Sequence, residues 1–134
     1  MHYLLLIYTA EPTENTSPDV MRTESMAYGD FTRWLIERGQ FKAGEALHPT
    51  TAATTVQVRD GRTITTDGPY AETKEALGGF YLIDAKDLNE AIHLAAGIPP
   101  ARYGSVKVRP VRELQVPTSN NVVVEAVAAV RQKA

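Results

Sequence analysis

Two stretches of this chain are apolar at consecutive positions rather than at alternate ones: Tyr3-Leu4-Leu5-Leu6-Ile7-Tyr8 and Gly79-Phe80-Tyr81-Leu82-Ile83. A strand with one wet face reads apolar-polar, so strands over 3–8 and 79–83 are predicted to be covered on both sides. Between them the period changes. Ser17-Pro18-Asp19 is a helix start, with Ser as N-cap, Pro in the first turn and Asp at the positive helix end. Apolar positions at Val20, Ala27, Tyr28, Phe31, Trp34 and Leu35 follow on one 3.6-residue stripe, and Gly39 ends it. The spacing predicts a helix over 18–38 whose Met21, Met26, Tyr28, Phe31 and Trp34 belong to the core.

A short strand is predicted over 41–47, running beside a hairpin of 54–59 and 62–66. Asp60-Gly61 between two β-branched runs is the hairpin signal, since the tight turn needs positive φ at both central residues. Asp87-Leu88-Asn89-Glu90 is a capping-box pattern, and Leu88, Ala91, Ile92, Ala95 and Ala96 form the apolar face of a second helix stopped by Gly97 and Pro99-Pro100. A last strand covers 106–109, with Pro110 marking an edge. Beyond 115, Val122, Ala126, Ala129 and Val130 allow a short helix, while the valines favour strand.

The order β-α-β-β-β-α-β predicts an α+β layer, a ferredoxin-like split βαβ with an added hairpin. Two helices cover only one face of such a sheet, yet its central strands are apolar on both. A second copy closing sheet against sheet, as a homodimer, would cover the other face; so would residues 122–130 folding back over it.

Composition narrows the function classes. The chain has 134 residues, a formal net charge of -2 and no cysteine. Thiolate catalysis, disulfides and sulfur-ligated metal are excluded, and the charge does not fit a nucleic-acid footprint. The N-terminal apolar run is too short for a leader or a membrane span, so a cytoplasmic location is expected. His2, His48 and His93 have no metal-ligand spacing, and neither a phosphate loop nor a dinucleotide fingerprint is present. No metal, cofactor, membrane or nucleic-acid partner is therefore expected.

The candidate chemistry lies in Asp67-Gly68-Pro69-Tyr70-Ala71-Glu72-Thr73-Lys74-Glu75. Asp67 ends the hairpin, and Gly-Pro fixes the reversal after it. A carboxylate desolvated there could act as general base, with Tyr70 or His48 as hydrogen-bond donor, Glu72 beside them and Lys74 holding an anionic group. His48, just past the strand over 41–47, could pair with Asp67. The plainer reading is turn chemistry with solvated loop charges.

This nine-residue run resembles the signature of YCII-related proteins of the DGPF type, with Tyr70 in place of Phe. The similarity continues through Leu77-Gly78-Gly79-Phe80-Tyr81-Leu82-Ile83-Asp84 and Glu90-Ala91 to Arg102-Tyr103-Gly104-Ser105-Val106 and Val108-Arg109-Pro110. It spans about 1–114, which leaves 115–134 as a tail. The resemblance implies a dimeric α+β barrel and little about activity. A His–Asp pair proposed for the wider group, with its His in the first helix, does not carry over, because 18–38 holds no histidine. The resemblance also implies an association with extracytoplasmic-function sigma factors. Two functions follow as expectations. One is proton-transfer chemistry of isomerase or lyase type on a small polar molecule, using Asp67; the other is a ligand- or protein-binding module that does no chemistry.

Overall fold

Ser17 closes the first turn of the first helix, its side chain accepting from the Val20 amide at 3.2 Å. Asp87 caps the second helix in the same way, accepting from Glu90 N at 2.9 Å, while Glu90 Oε1 reaches back to Lys86 N at 3.1 Å. In the computed structural model, which describes residues 1–11, 16–68 and 74–114, these caps frame one chain order. It runs β1 (His2–Thr9), α1 (Pro18–Glu37), β2 (Phe41–Ala46), β3 (Thr54–Arg59), β4 (Arg62–Asp67), β5 (Ala76–Asp84), α2 (Leu88–Ala96) and β6 (Ser105–Pro110). Single 3-10 turns at Thr50–Ala52 and Pro99–Arg102 complete it. Within the described residues the predicted elements are all present, with β5 starting three residues earlier than its apolar run, and the short helix allowed over 122–130 lies outside the described residues.

Four strands form an antiparallel sheet in the order β2-β5-β1-β6. With α1 and α2 as crossovers, this is the ferredoxin-like α+β arrangement. Pro110 is on an edge strand, where its missing N–H costs no ladder bond. The hairpin β3-β4 is a separate two-stranded sheet. Its Asp60 and Gly61 take φ of 53° and 73°, the geometry the Asp-Gly pair predicts. One expectation is corrected here: β2 runs beside β5 rather than the hairpin. The reason lies in composition. β5 offers a buried apolar ladder, whereas β3 and β4 are rich in threonine, and their Val56 and Val58 stay exposed.

Tyr3, Leu5, Ile7, Tyr81 and Ile83 from the sheet pack against Phe31 and Leu35 of α1 and Ala91, Leu94 and Ala95 of α2. Leu5, Leu35, Ile83 and Leu94 are fully enclosed. The expectation for α1 also needs correction. Only Phe31 and Leu35 of its apolar stripe are buried, while Val20, Met21 and Met26 are exposed and Trp34 lies at the surface. The sheet meets the C-terminal half of this twenty-residue helix, so apolar side chains in the N-terminal half have no strand beneath them. Trp34 is held instead by Phe31, at 5.8 Å between ring centroids, and by the Arg38 guanidinium 4.7 Å above its ring.

Gly104 marks a close approach: a Cβ at that position would fall on the Tyr8 carbonyl oxygen. No side chain but hydrogen fits there, which fixes how β6 enters the sheet beside β1.

The face of the sheet away from the helices carries two rows across the strands. Glu45, Phe80, Leu6 and Lys107 are paired partners in one row, and Ala43, Leu82, Leu4 and Arg109 in the next. Each row is apolar in the middle and charged at the β6 end. Lys107 leans over the Tyr8 ring at 4.6 Å.

Candidate functional site

Met21, Ser25, Tyr28 and Thr32 recur at i, i+4, i+7 and i+11, which puts them on one face of α1. Where that face parts from the sheet, a cavity of about 740 Å³ opens. Ile7, Phe41, Gly44 and Tyr81 line it from the strands, and Glu11, Leu47, His48, Pro49 and Leu77 from the segments at the strand ends. Its size and mostly apolar lining match those of small-molecule sites. Gly44 helps make it: a Cβ there would come within 3.0 Å of Tyr81 Cδ1 and 3.2 Å of Phe41 Cε2.

The polar groups are few and specific. Thr32 Oγ1 donates to the Tyr28 carbonyl at 2.8 Å and is joined to Tyr81 Oη at 2.6 Å. Tyr81 is further fixed by edge-on contacts with Phe31 and Phe41, at 5.4 and 6.2 Å between centroids. Burial pushes the Tyr28 phenol up to about 12, with the Glu24 carboxylate and Tyr81 adding to the rise. Burial raises Tyr81 as well. Both phenols are therefore neutral donors or acceptors at physiological pH. At the rim, Glu11 accepts from the Thr50 amide at 2.6 Å and from the Thr50 hydroxyl at 3.0 Å, tying the segment after β1 to the turn after β2.

The Tyr28 shift has a testable sign. A phenol whose folded value lies above its unfolded value of 10.0 releases its proton more readily from the unfolded chain. Its stabilising contribution is complete below pH 10 and is lost as pH rises toward 12. Denaturant titrations across that range are expected to show a smaller alkaline loss of stability in Tyr28→Phe than in the unaltered chain.

Compared with known protein families, residues 1–115 match the YCII-related domain. The chain belongs to the YCII-related domain family. It is also 48% identical, over 80 residues, to an uncharacterised protein of Rhizobium meliloti (strain 1021). That match takes in 58% of this chain and 64% of the relative, so less than two thirds of the relative's length is spanned.

In this YCII-related chain, His48 alone of the described residues singled out from sequence for chemistry is a lining residue of the cavity. His48 lines the cavity at its rim and is exposed. Asp67 is the exposed last residue of β4, paired with Thr54, and is not among the described lining residues. Its neighbour Gly68 is well anchored, with its amide donating to Ala53 O at 2.7 Å and its carbonyl accepting from Thr55 Oγ1 at 3.0 Å. No described hydrogen bond or ion pair joins His48 to Asp67. Lys74 is exposed and is not among the described lining residues. Tyr70 and Glu72 lie outside the described residues. Among the described residues no cluster of three potential metal ligands occurs, and no helix is long and apolar enough to cross a membrane.

Sequence reasoning missed Thr32 and Tyr81 as cavity residues; Tyr28, expected in the core, packs against it and also lines the cavity. The available signal was Thr32 itself. A hydroxyl one turn after Tyr28 on a helix face otherwise taken as apolar marks a wall with a polar purpose.

Proposed function

We propose that this protein binds a small molecule in the cavity between α1 and the ends of β1, β2 and β5. The observation that carries this reading is the cavity itself: about 740 Å³, apolar-walled, with a phenol–threonine hydroxyl pair on its wall. A thermal-shift screen of metabolites tests it. A ligand at about 100 times its Kd adds roughly 2.7 kcal/mol to stability, a shift of several degrees. The shift should vanish in Ser25→Trp, which fills the cavity from α1. A shift that persists in Ser25→Trp would put the ligand elsewhere.

The enzymatic form of this reading is proton transfer by His48, which lines the cavity at its rim, with Asp67 brought to it when ligand is bound. Binding without chemistry is favoured by the exposed position of Asp67 at the end of β4, in a two-stranded sheet separate from the lining strands. The same screen separates the two. His48→Ala and Asp67→Asn keep the ligand-induced shift in either case. Turnover of a hit that both variants abolish would establish the enzyme, whereas a hit that is bound and returned unchanged would establish the binding module. A regulatory setting near sigma factors, as the resemblance implies, asks for binding alone.

The second part of the proposal is a two-fold homodimer. The apolar middle of the open sheet face, Leu4, Leu6, Phe80 and Leu82, is half-buried, and a second copy would complete its burial. A two-fold axis parallel to the strands reverses each row onto itself. That operation sets Glu45 of one copy over Lys107 of the other, at both ends of the interface, so the face is self-complementary in charge as well as in apolar character.

A further inference from the structure

The hydroxyls of the cavity can be assigned by counting protons. Thr32 Oγ1 has one, and it goes to the Tyr28 carbonyl at 2.8 Å. The 2.6 Å contact between Thr32 Oγ1 and Tyr81 Oη must therefore use the Tyr81 proton. Toward the cavity Tyr81 Oη presents lone pairs only. Tyr28 Oη has no described hydrogen bond and keeps its proton for an arriving group.

Charge constrains the occupant further. Among the described lining residues there is no lysine and no arginine. Of the two described lining carboxylates, Glu11 is committed to Thr50, and both it and Glu45 add negative potential. A carboxylate or phosphate entering these apolar walls would shed its hydration with no described lysine or arginine to replace it and only the exposed His48 at the rim, which is strongly unfavourable. An ether or a ketone, in turn, would meet the Tyr81 lone pairs with nothing to donate.

We infer that the cavity selects an uncharged, mostly apolar molecule bearing a hydroxyl group, which donates to Tyr81 Oη while Tyr28 Oη donates to it. This rests on the cavity being the binding site, as proposed above, and adds the class of ligand. The anion anchoring expected of Lys74 has no part in it, and neither Asp67 nor His48 is needed for recognition.

Three naphthalenes of one shape separate these possibilities: 2-naphthol, 2-methoxynaphthalene, which accepts but cannot donate, and 2-naphthoate, which is anionic. Their Kd values are read by equilibrium titration on the unaltered chain, Thr32→Val and Ser25→Trp. One neutral hydrogen bond is worth roughly 0.5–1.5 kcal/mol, so 2-naphthol should bind about three- to tenfold more tightly than its methyl ether, with 2-naphthoate the weakest of the three. Thr32→Val removes the acceptor of the Tyr81 proton at nearly constant volume. Tyr81 can then donate into the cavity, and the preference for naphthol over the ether should fall toward one. A merely structural Thr32 would weaken both compounds alike and leave their ratio unchanged. Naphthoate binding as well as naphthol, or an unchanged ratio in Thr32→Val, would overturn the inference while leaving the cavity as a site. Binding by none of the three, or binding that survives Ser25→Trp, would overturn the cavity reading beneath it.

Discussion

Leu82→Glu is expected to sediment as a monomer at concentrations where the unaltered chain sediments as a dimer. Leu82 is in the middle of the row Ala43, Leu82, Leu4 and Arg109 on the open sheet face, with no described helix above it. In a face-to-face dimer a carboxylate there becomes a buried, unpaired charge, and symmetry places it in the interface twice. One such charge costs about 3–5 kcal/mol, so the dimer dissociation constant should rise by two orders of magnitude or more. The substitution leaves the helix-covered core untouched, so the far-ultraviolet spectrum should change little. Charge reversal then tests the geometry. Glu45→Lys and Lys107→Glu should each weaken the dimer by a few-fold, because each sets like charges opposite at both ends. Combined, they should restore it, since the pair is swapped rather than lost. An unaltered chain that is monomeric at all accessible concentrations would refute the dimer and make residues 115–134 the candidate cover for that face.

The second large effect belongs to Leu35. It is fully enclosed between α1 and the sheet, in the one stretch of the helix that touches the strands. Leu35→Ala removes apolar contacts and leaves a cavity, for a loss of about 3 kcal/mol and roughly 10 °C in Tm. Because Phe31 and Leu35 alone bury the helix, the loss should also loosen the wall that bears Tyr28 and Thr32. Ligand shifts should weaken in Leu35→Ala as stability falls. In Met26→Ala, on the exposed side of the same helix, both should stay within about 0.5 kcal/mol of the unaltered chain. Comparable losses in the two variants would mean that the N-terminal half of α1 contributes as much to stability as the C-terminal half.

The sequence by itself determined the elements and their order, because each rests on rules that act within a few residues. Ser17 and Asp87 cap the helices, Asp60-Gly61 turns the hairpin, and the change from period 3.6 to continuous apolar runs separates helix from central strand. That two helices cannot cover both faces of a doubly apolar sheet was also legible, since it follows from counting layers. The nine-residue run beginning at Asp67 carried the family resemblance.

Only the tertiary structure decided where a molecule could enter. Whether an apolar helix position is core or cavity wall depends on whether a strand lies beneath it, and nothing local to Met21 records that its side chain stays exposed beside the cavity. The partner of β2 was equally hidden. Strand pairing joins residues far apart in the chain, and β5 won over the adjacent hairpin by offering a buried ladder. A strand over 41–47 lying beside the hairpin would bring His48 toward Asp67, but the pairing of β2 with β5 leaves one at the cavity rim and the other at the end of a separate sheet. The hydroxyl pair of Thr32 and Tyr81, 49 residues apart in the chain, exists only because α1 crosses β5 at that point. Contacts of this range are set by packing, and packing is a property of the whole fold.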